Sequence, residues 1–408
     1  MWMRNHTFAP MRNTILSPVS FRSLLPVCLA GLLTWSSAGV QAQSKTRLVD
    51  KVSGLFSSPI KVGSYTFKDG SVYTGELKHG RPYGKGKTVF TNGDTYEGQY
   101  VKGKREGYGV YTLHSGERYE GQWFQDRQHG RGTYHFLNNN RYEGMWYADY
   151  QHGQGTMFYY NGDRYEGEWV NDRREGHGCY TWAGGARYDG QWRADKKNGQ
   201  GHFVWADGAS YEGQWANDLR SGQGTYVHAN GDKYVGQWSQ DRQHGRGVYY
   251  FHSGDRYEGH YVHGERTGQG VYVHVNGDKY VGEFKNGEQD GQGTFTWASG
   301  AVYEGQWRAN QRSGFGCYRW AGGDVYEGYW RDGKANGEGV LRQADGTKYK
   351  GGFVDGLEDG PGVMETPDGI RFEGTFRQGK KDGPFVETDK DGRVVRRGTY
   401  DFGRLLKE

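Results

Sequence analysis

Residues 119–137 read YEGQWFQDRQHGRGTYHFL, and residues 234–251 read YVGQWSQDRQHGRGVYYF. Two stretches this alike, separated by a whole multiple of 23 residues, mark a unit copied along the chain. Tyr73, Tyr96, Tyr119, Tyr142, Tyr165, Tyr188, Tyr211, Tyr234, Tyr257, Tyr280, Tyr303, Tyr326 and Tyr349 open successive copies, and Phe372 opens a fourteenth, with no insertion anywhere. Counted from that aromatic as 0, glycine recurs at +2, +11, +13 and +20, and only Asn139 and Phe385 break the rule. Self-similarity at this period means an array in which each unit contacts mainly its neighbours, so 408 residues imply one repeat domain rather than several globular ones.

Within a unit the pattern has period two. Tyr119, Gly121 and Trp123 point one way and Glu120 and Gln122 the other; Gly132, Tyr134 and Phe136 continue the aromatic side. Alternation rich in aromatics is strand. Between units lie Asn161-Gly162-Asp163, Asn230-Gly231-Asp232 and Asn276-Gly277-Asp278, where positive backbone angles favour a tight hairpin turn. Inside the unit, Phe124 to His129 reads as a six-residue polar loop. The expected fold is therefore all-β: an elongated, single-layer antiparallel meander of about 28 strands of five to seven residues, forming a twisted rod-like array of hairpins. A lone hairpin is marginal in water, so the units must stack to be stable. Bare glycines at +2 and +13 leave room for a row of rings, Tyr119, Trp123, Tyr142, Trp146, Tyr165, Trp169, Tyr188, Trp192, Tyr211 and Trp215, to lie across the strands as the core.

Composition agrees. With 71 glycines and only 34% hydrophobic residues the chain would resemble a disordered one, but 16% are aromatic, and those residues bury the most area. Arg4, Arg12 and Arg22 fall in the first 42 residues, which hold no acid, so the remainder of a chain of net charge +4 is close to balance. That argues against nucleic acid as partner.

The first 42 residues differ from the rest. Three arginines precede the apolar run LLPVCLAGLL, Leu24 to Leu33, and the small residues Val40 and Ala42 stand where a signal peptidase reads. These are the parts of a secretory signal peptide, and the run is shorter than the roughly 20 residues of a membrane span. Cleavage after Ala42 and export to the periplasm, envelope or medium is the first expectation; an uncleaved anchor, or a cytoplasmic chain held at a membrane, is the alternative. Residues 43–62 then form a linker or N-terminal cap, with Leu48, Val52 and Leu55 at helical spacing; 63–394 are the array and 395–408 a C-terminal cap. Short strands with Arg118, Glu120 and Gln122 on the second face are not those of an outer-membrane barrel.

Units such as Tyr165-Glu166-Gly167-Glu168-Trp169, followed by Gly176-His177-Gly178-Cys179-Tyr180 and Gly185, resemble MORN (membrane occupation and recognition nexus) repeats over about residues 63–387. The resemblance implies a twisted hairpin array that scaffolds other proteins, often at membranes, sometimes as a homodimer through an array end, with phosphoinositide binding in some members. Where such repeats accompany enzymes, the chemistry resides in a separate domain, and with about 36 residues after Phe372 none is expected here. The leader departs from the family pattern, whose best-known members are cytosolic.

No constellation of an enzyme stands out. Glutamates at +1 have arginines at -1 beside them, as Arg118 and Glu120, and read as a ladder of surface charge pairs. His129, His152 and His244 share +10, but units about 10 Å apart cannot share one ion, so neither metal nor cofactor is expected. Aspartates at +7 read as turn residues, and Cys179 and Cys317, both at +14, as small fillers too far apart to pair. The one suggestive feature is a basic row at +8 and +9: Lys104, Arg105, Arg127, Arg173, Arg174, Lys196, Lys197, Arg220, Arg242, Arg266 and Arg312, expected to project from the loop along one edge. The leading functional expectation is a non-catalytic, protein-binding scaffold. Its rival is a peripheral binder of anionic lipid or envelope glycan through that row and the aromatic face.

Overall fold

The computed structural model describes residues 59–407. The leader and the helical spacing at Leu48 to Leu55 lie outside the described residues. From Lys61 to Lys407 the chain forms 31 strands in one antiparallel sheet, each strand paired with its sequence neighbours and the first not paired with the last. No helix occurs among the described residues. The extra strands beyond two per unit are β1 (Lys61–Thr66) at the front, and β30 (Val394–Asp401) and β31 (Arg404–Lys407) at the back, so the sheet runs on through the C-terminal segment.

One unit shows the rule. Strand β6 (Arg118–Phe124) turns into β7 (Arg127–His135), which turns into β8 (Arg141–Tyr147). The six-residue loop expected from Phe124 to His129 is a two-residue turn, Gln125-Asp126, with φ of 50° and 70°. Both central residues at positive φ make the primed turn that matches strand twist. What holds Asp126 there is a bond from outside the unit: its carboxylate accepts the Arg105 N–H at 2.8 Å, and its own N–H donates to the Arg105 carbonyl. The strand therefore resumes at Arg127, and the second strand of each unit has nine residues rather than five to seven. The turn between units is the longer one. Phe136 N–H donates to Asn140 C=O and Asn139 N–H to Phe136 C=O, a three-residue loop that needs positive φ only at its last position. Glycine fills that place elsewhere; Asn139, at φ 65°, fills it here.

Every hairpin inside a unit carries a bulge at the same point. Trp123 pairs with Gln128 and Gly121 with Gly132, so His129, Gly130 and Arg131 face Gln122 alone. The freed Arg131 N–H is taken up by the Gln122 side-chain oxygen at 3.1 Å. Gly130, at φ 62°, could not carry a Cβ without striking that oxygen at 1.8 Å, which explains glycine at +11. A bulge bends its strand, and repetition bends every hairpin alike.

The core is a single layer of rings on one face. Tyr119 lies along its own strand, its hydroxyl donating to the Gln122 carbonyl at 2.9 Å, so that a Cβ on Gly132 would meet that hydroxyl at 2.4 Å. Trp123 meets Tyr119 edge-on at 5.2 Å and Tyr96 of the preceding unit at 5.3 Å, and its indole N–H donates to the Gly109 carbonyl. The opening tyrosines from Tyr73 to Tyr303 have 0% exposure. Phe385, the one exception at +13, stacks on Phe372, the one opening aromatic without a hydroxyl, at 5.3 Å. The two departures compensate each other: a phenyl ring fills the space that the glycine leaves elsewhere.

Candidate functional site

The basic residues that the sequence groups into one row fall on opposite faces, because +8 and +9 are consecutive strand residues and not loop. Those at +9, Arg105, Arg174, Lys197, Arg220, Arg266 and Arg312, turn to the aromatic face and are half-buried. The Arg105 guanidinium sits 4.3 Å from the Trp123 ring of the next unit, Arg174 4.4 Å from Trp192, Lys197 4.5 Å from Trp215, Arg220 4.5 Å from Trp238 and Arg312 4.4 Å from Trp330. Arg266 lies 5.4 Å from Tyr257. Each arginine here also donates to a carbonyl in the next unit's tight turn, as Arg174 to Asp195 O at 2.8 Å and Arg266 to Gly287 O at 2.8 Å. Burial lowers the Lys197 ammonium from its ordinary pKa, and the nearby Asp218 and Asp241 raise it in opposition. These cations clamp one unit to the next and cover the rings.

The +7 aspartates complete the clamp. Asp195 accepts the Arg174 N–H at 3.0 Å and its Nε at 3.2 Å. Asp195→Ala leaves both donors without that acceptor and is expected to cost about 1–2 kcal/mol, read as a lower thermal midpoint with unchanged far-ultraviolet dichroism below it. A second aspartate row at the other edge, at +21, does the same for the long turns. Asp163 accepts the Tyr180 hydroxyl at 2.8 Å and the Ala183 N–H at 2.9 Å; Asp232 accepts Tyr249 and His252 likewise. The His252 N–H, against the cost of burial, together with Asn230 and Tyr249, holds the Asp232 carboxyl below its usual pKa. The sequence shows Asp163 and Asp232 only as turn residues; their bond to the next unit shows only as the 17-residue spacing to Tyr180 and Tyr249.

The cations at +8, Lys104, Arg127, Arg173, Lys196 and Arg242, are exposed on the outer face. That face also carries the expected charge ladder: Arg164 pairs with Glu166 at 2.6 Å and Arg141 with Glu143 at 2.8 Å. Between the rungs, a shallow groove of about 520 Å³ is floored by Gly121, Gly132, Gly144 and Gly155 and lined by Glu120, Thr133, Glu143 and Thr156. A similar groove of about 500 Å³ recurs at Val235, Val248, Glu258 and Val271. The thiols of Cys179 and Cys317 are free, and the Arg187 Nε donates to the Cys179 sulfur at 3.1 Å.

The family model for the MORN repeat matches fourteen consecutive segments, from 73–95 to 372–392. Comparison with curated proteins finds no match. Among solved structures, the SAS-4 (dCPAP) TCP domain of Drosophila melanogaster, in complex with a proline-rich motif of Ana2 (dSTIL), is 17% identical over 38% of this chain and 85% of its own, with a TM-score of 0.25. The TCP10 domain of Danio rerio CPAP, in complex with a STIL peptide, is 10% identical over 72% and 96%, at a TM-score of 0.20. A streptogramin B lyase reaches 12% identity over 72% and 90%, at 0.12. The repeat match spans most of the chain, and its unit boundaries coincide with the tyrosines that open each hairpin: the chain belongs to the MORN repeat family.

Proposed function

We propose that this protein is a non-catalytic scaffold, exported by its leader, that holds other proteins along the outer face of its sheet. The observation carrying this reading is the division of labour between the faces. The aromatic face spends its cations, carboxylates and indole N–H groups on joining neighbouring units, whereas the outer face carries shallow grooves over the bare glycines, edged by charge rungs around Glu143 and largely by valines around Val248. Such a surface suits an extended partner or several copies of one. A second copy joined through an array end is one partner consistent with it.

A second reading, a peripheral binder of anionic lipid or glycan, is favoured by the +8 cations standing free of the clamp on one face. It narrows the row to Lys104, Arg127, Arg173, Lys196 and Arg242. Charge reversal at Arg173 and Lys196 is expected to abolish salt-sensitive binding to phosphatidylglycerol vesicles, while reversal at Arg174 acts on stability instead.

The first test is fractionation of cells expressing the tagged full-length chain, with N-terminal sequencing of the recovered protein. A chain beginning at Gln43 in an exported fraction is expected. An intact leader on cytosolic protein would sink export and move the scaffold to the inner membrane face.

A further inference from the structure

The outer face departs from its own repeat at +5 and +10 of two adjacent units. At +5 most units carry small, aliphatic or charged residues, such as Val170, Arg193, Ala216 and Ser239, but two adjacent units carry Phe124 and Tyr147. The same two units carry His129 and His152 at +10, where their neighbours have Glu106 and Glu175. The four side chains meet: Phe124 to His129 at 5.6 Å, His129 to Tyr147 at 5.3 Å and Tyr147 to His152 at 5.7 Å between ring centres. Phe124 is 49% and Tyr147 58% exposed. The track is therefore a continuous strip of four rings, longer than the Phe315–Tyr329 pair elsewhere on that face, and it ends where +10 becomes acidic.

Two cations of the +8 row flank it. Arg127 stands opposite Phe124 across the tight turn, and Arg173 stands in the unit that follows the track. The aspartates of these turns are engaged with the other edge of the clamp: Asp126 accepts the Arg105 N–H, Asp149 the Gln128 N–H and Asp172 the Gln151 N–H. Rings with exposed faces, flanked by free cations, are complementary to a chain of apolar C–H faces and carboxylates.

We propose that the track Phe124–His129–Tyr147–His152, with Arg127 and Arg173, docks an extended acidic polysaccharide, one sugar ring to each aromatic ring. The inference rests on the second reading above and gives it a site and a ligand class. Phe124 and Tyr147 stand two strands apart, about 10 Å, with His129 between them, so the track advances about 5 Å per ring, close to the length of one pyranose in an extended chain. Successive rings are also tilted against one another by 48–52°, which suits puckered sugars that contact each ring separately and denies stacked bases a continuous plane. The uronate carboxylates meet the two guanidinium groups, which can bind them in two-point fashion.

The test uses the full chain and sodium oligogalacturonate, followed by titration calorimetry, with phosphatidylglycerol vesicles and oligo-dT as the other polyanions. The variant Phe124→Ala/Tyr147→Ala removes exposed rings only, and an unchanged melting curve checks that it folds. Oligogalacturonate affinity is expected to fall about tenfold or more in this variant, and in Arg127→Glu/Arg173→Glu, but not in the remote Arg242→Glu. Full affinity in the ring variant overturns the track while leaving the basic row as a polyanion site. Binding of vesicles or oligo-dT without oligogalacturonate overturns the ligand class, and binding of none of the three overturns both this inference and the reading beneath it.

Discussion

Replacing Tyr211 by alanine is expected to divide the unfolding of the array into two transitions and to destabilise the units around it by about 3–5 kcal/mol. Tyr211 has 0% exposure and touches Trp215 at 5.1 Å and Trp238 of the next unit at 5.4 Å. Its hydroxyl donates to the Gln214 carbonyl at 3.0 Å. Removing the ring uncovers Gly213 and Gly224 and takes away the surface on which two tryptophans rest. A repeat array is stabilised by nearest-neighbour terms, so a defect at the middle weakens coupling between the halves more than it weakens either half. Gly224→Val reaches the same end by overpacking, because a Cβ there would stand 2.3 Å from the Tyr211 hydroxyl. Calorimetry with limited proteolysis checks both variants. One transition at the wild-type midpoint would contradict the packing role given to the row.

Alkali is expected to unfold the protein over a narrow range beginning above about pH 10, with loss of sheet dichroism and tyrosinate absorbance rising together. Burial pushes Tyr73 and Tyr257 up to about 12, opposed at Tyr257 by Arg266, and pushes Tyr165, Tyr188 and Tyr211 in the same direction. In the unfolded chain these phenols ionise near 10. Between the two values the unfolded state binds fewer protons than the folded one, so stability is whole below about 10 and declines as pH rises towards the folded pKa. Because the same tyrosine recurs from unit to unit, the proton losses add. A gradual rise in tyrosinate absorbance with the sheet signal intact would show that the row is open to solvent.

Much of this fold can be read from the period alone. Strand alternation and the glycines at +2 and +13 locate the rings, since each is a consequence of contacts within a unit or with the next copy. The tight turn is harder to read. Gln125-Asp126 lacks the Asn-Gly signature of a primed turn, and its geometry depends on the Arg105 backbone in the preceding unit. The consequence is large, because shortening that loop turns +9 from an edge position into one facing the tryptophans, and six of the eleven basic residues move from a candidate surface into the clamp. The signal lies in the 21-residue spacing between the +9 cation and the next +7 aspartate at Arg105, Arg174, Lys197 and Arg220, which only a comparison between units reveals. The ring track was illegible for a different reason: it is a departure from the repeat, and periodicity draws the eye to what recurs.

The bonds that clamp the sheet join each unit only to the adjoining one, as Trp192 to Gly178 and Arg174 to Asp195. Excising one whole 23-residue copy from the interior would bring together two faces that already fit, with every partner replaced by its homologue. Length in such a chain is a heritable quantity that unequal recombination between near-identical copies can adjust without passing through a misfolded intermediate. Tyr119 to Phe136 and Tyr234 to Phe251, alike at most of their positions and five units apart, are sequences on which such an exchange could act.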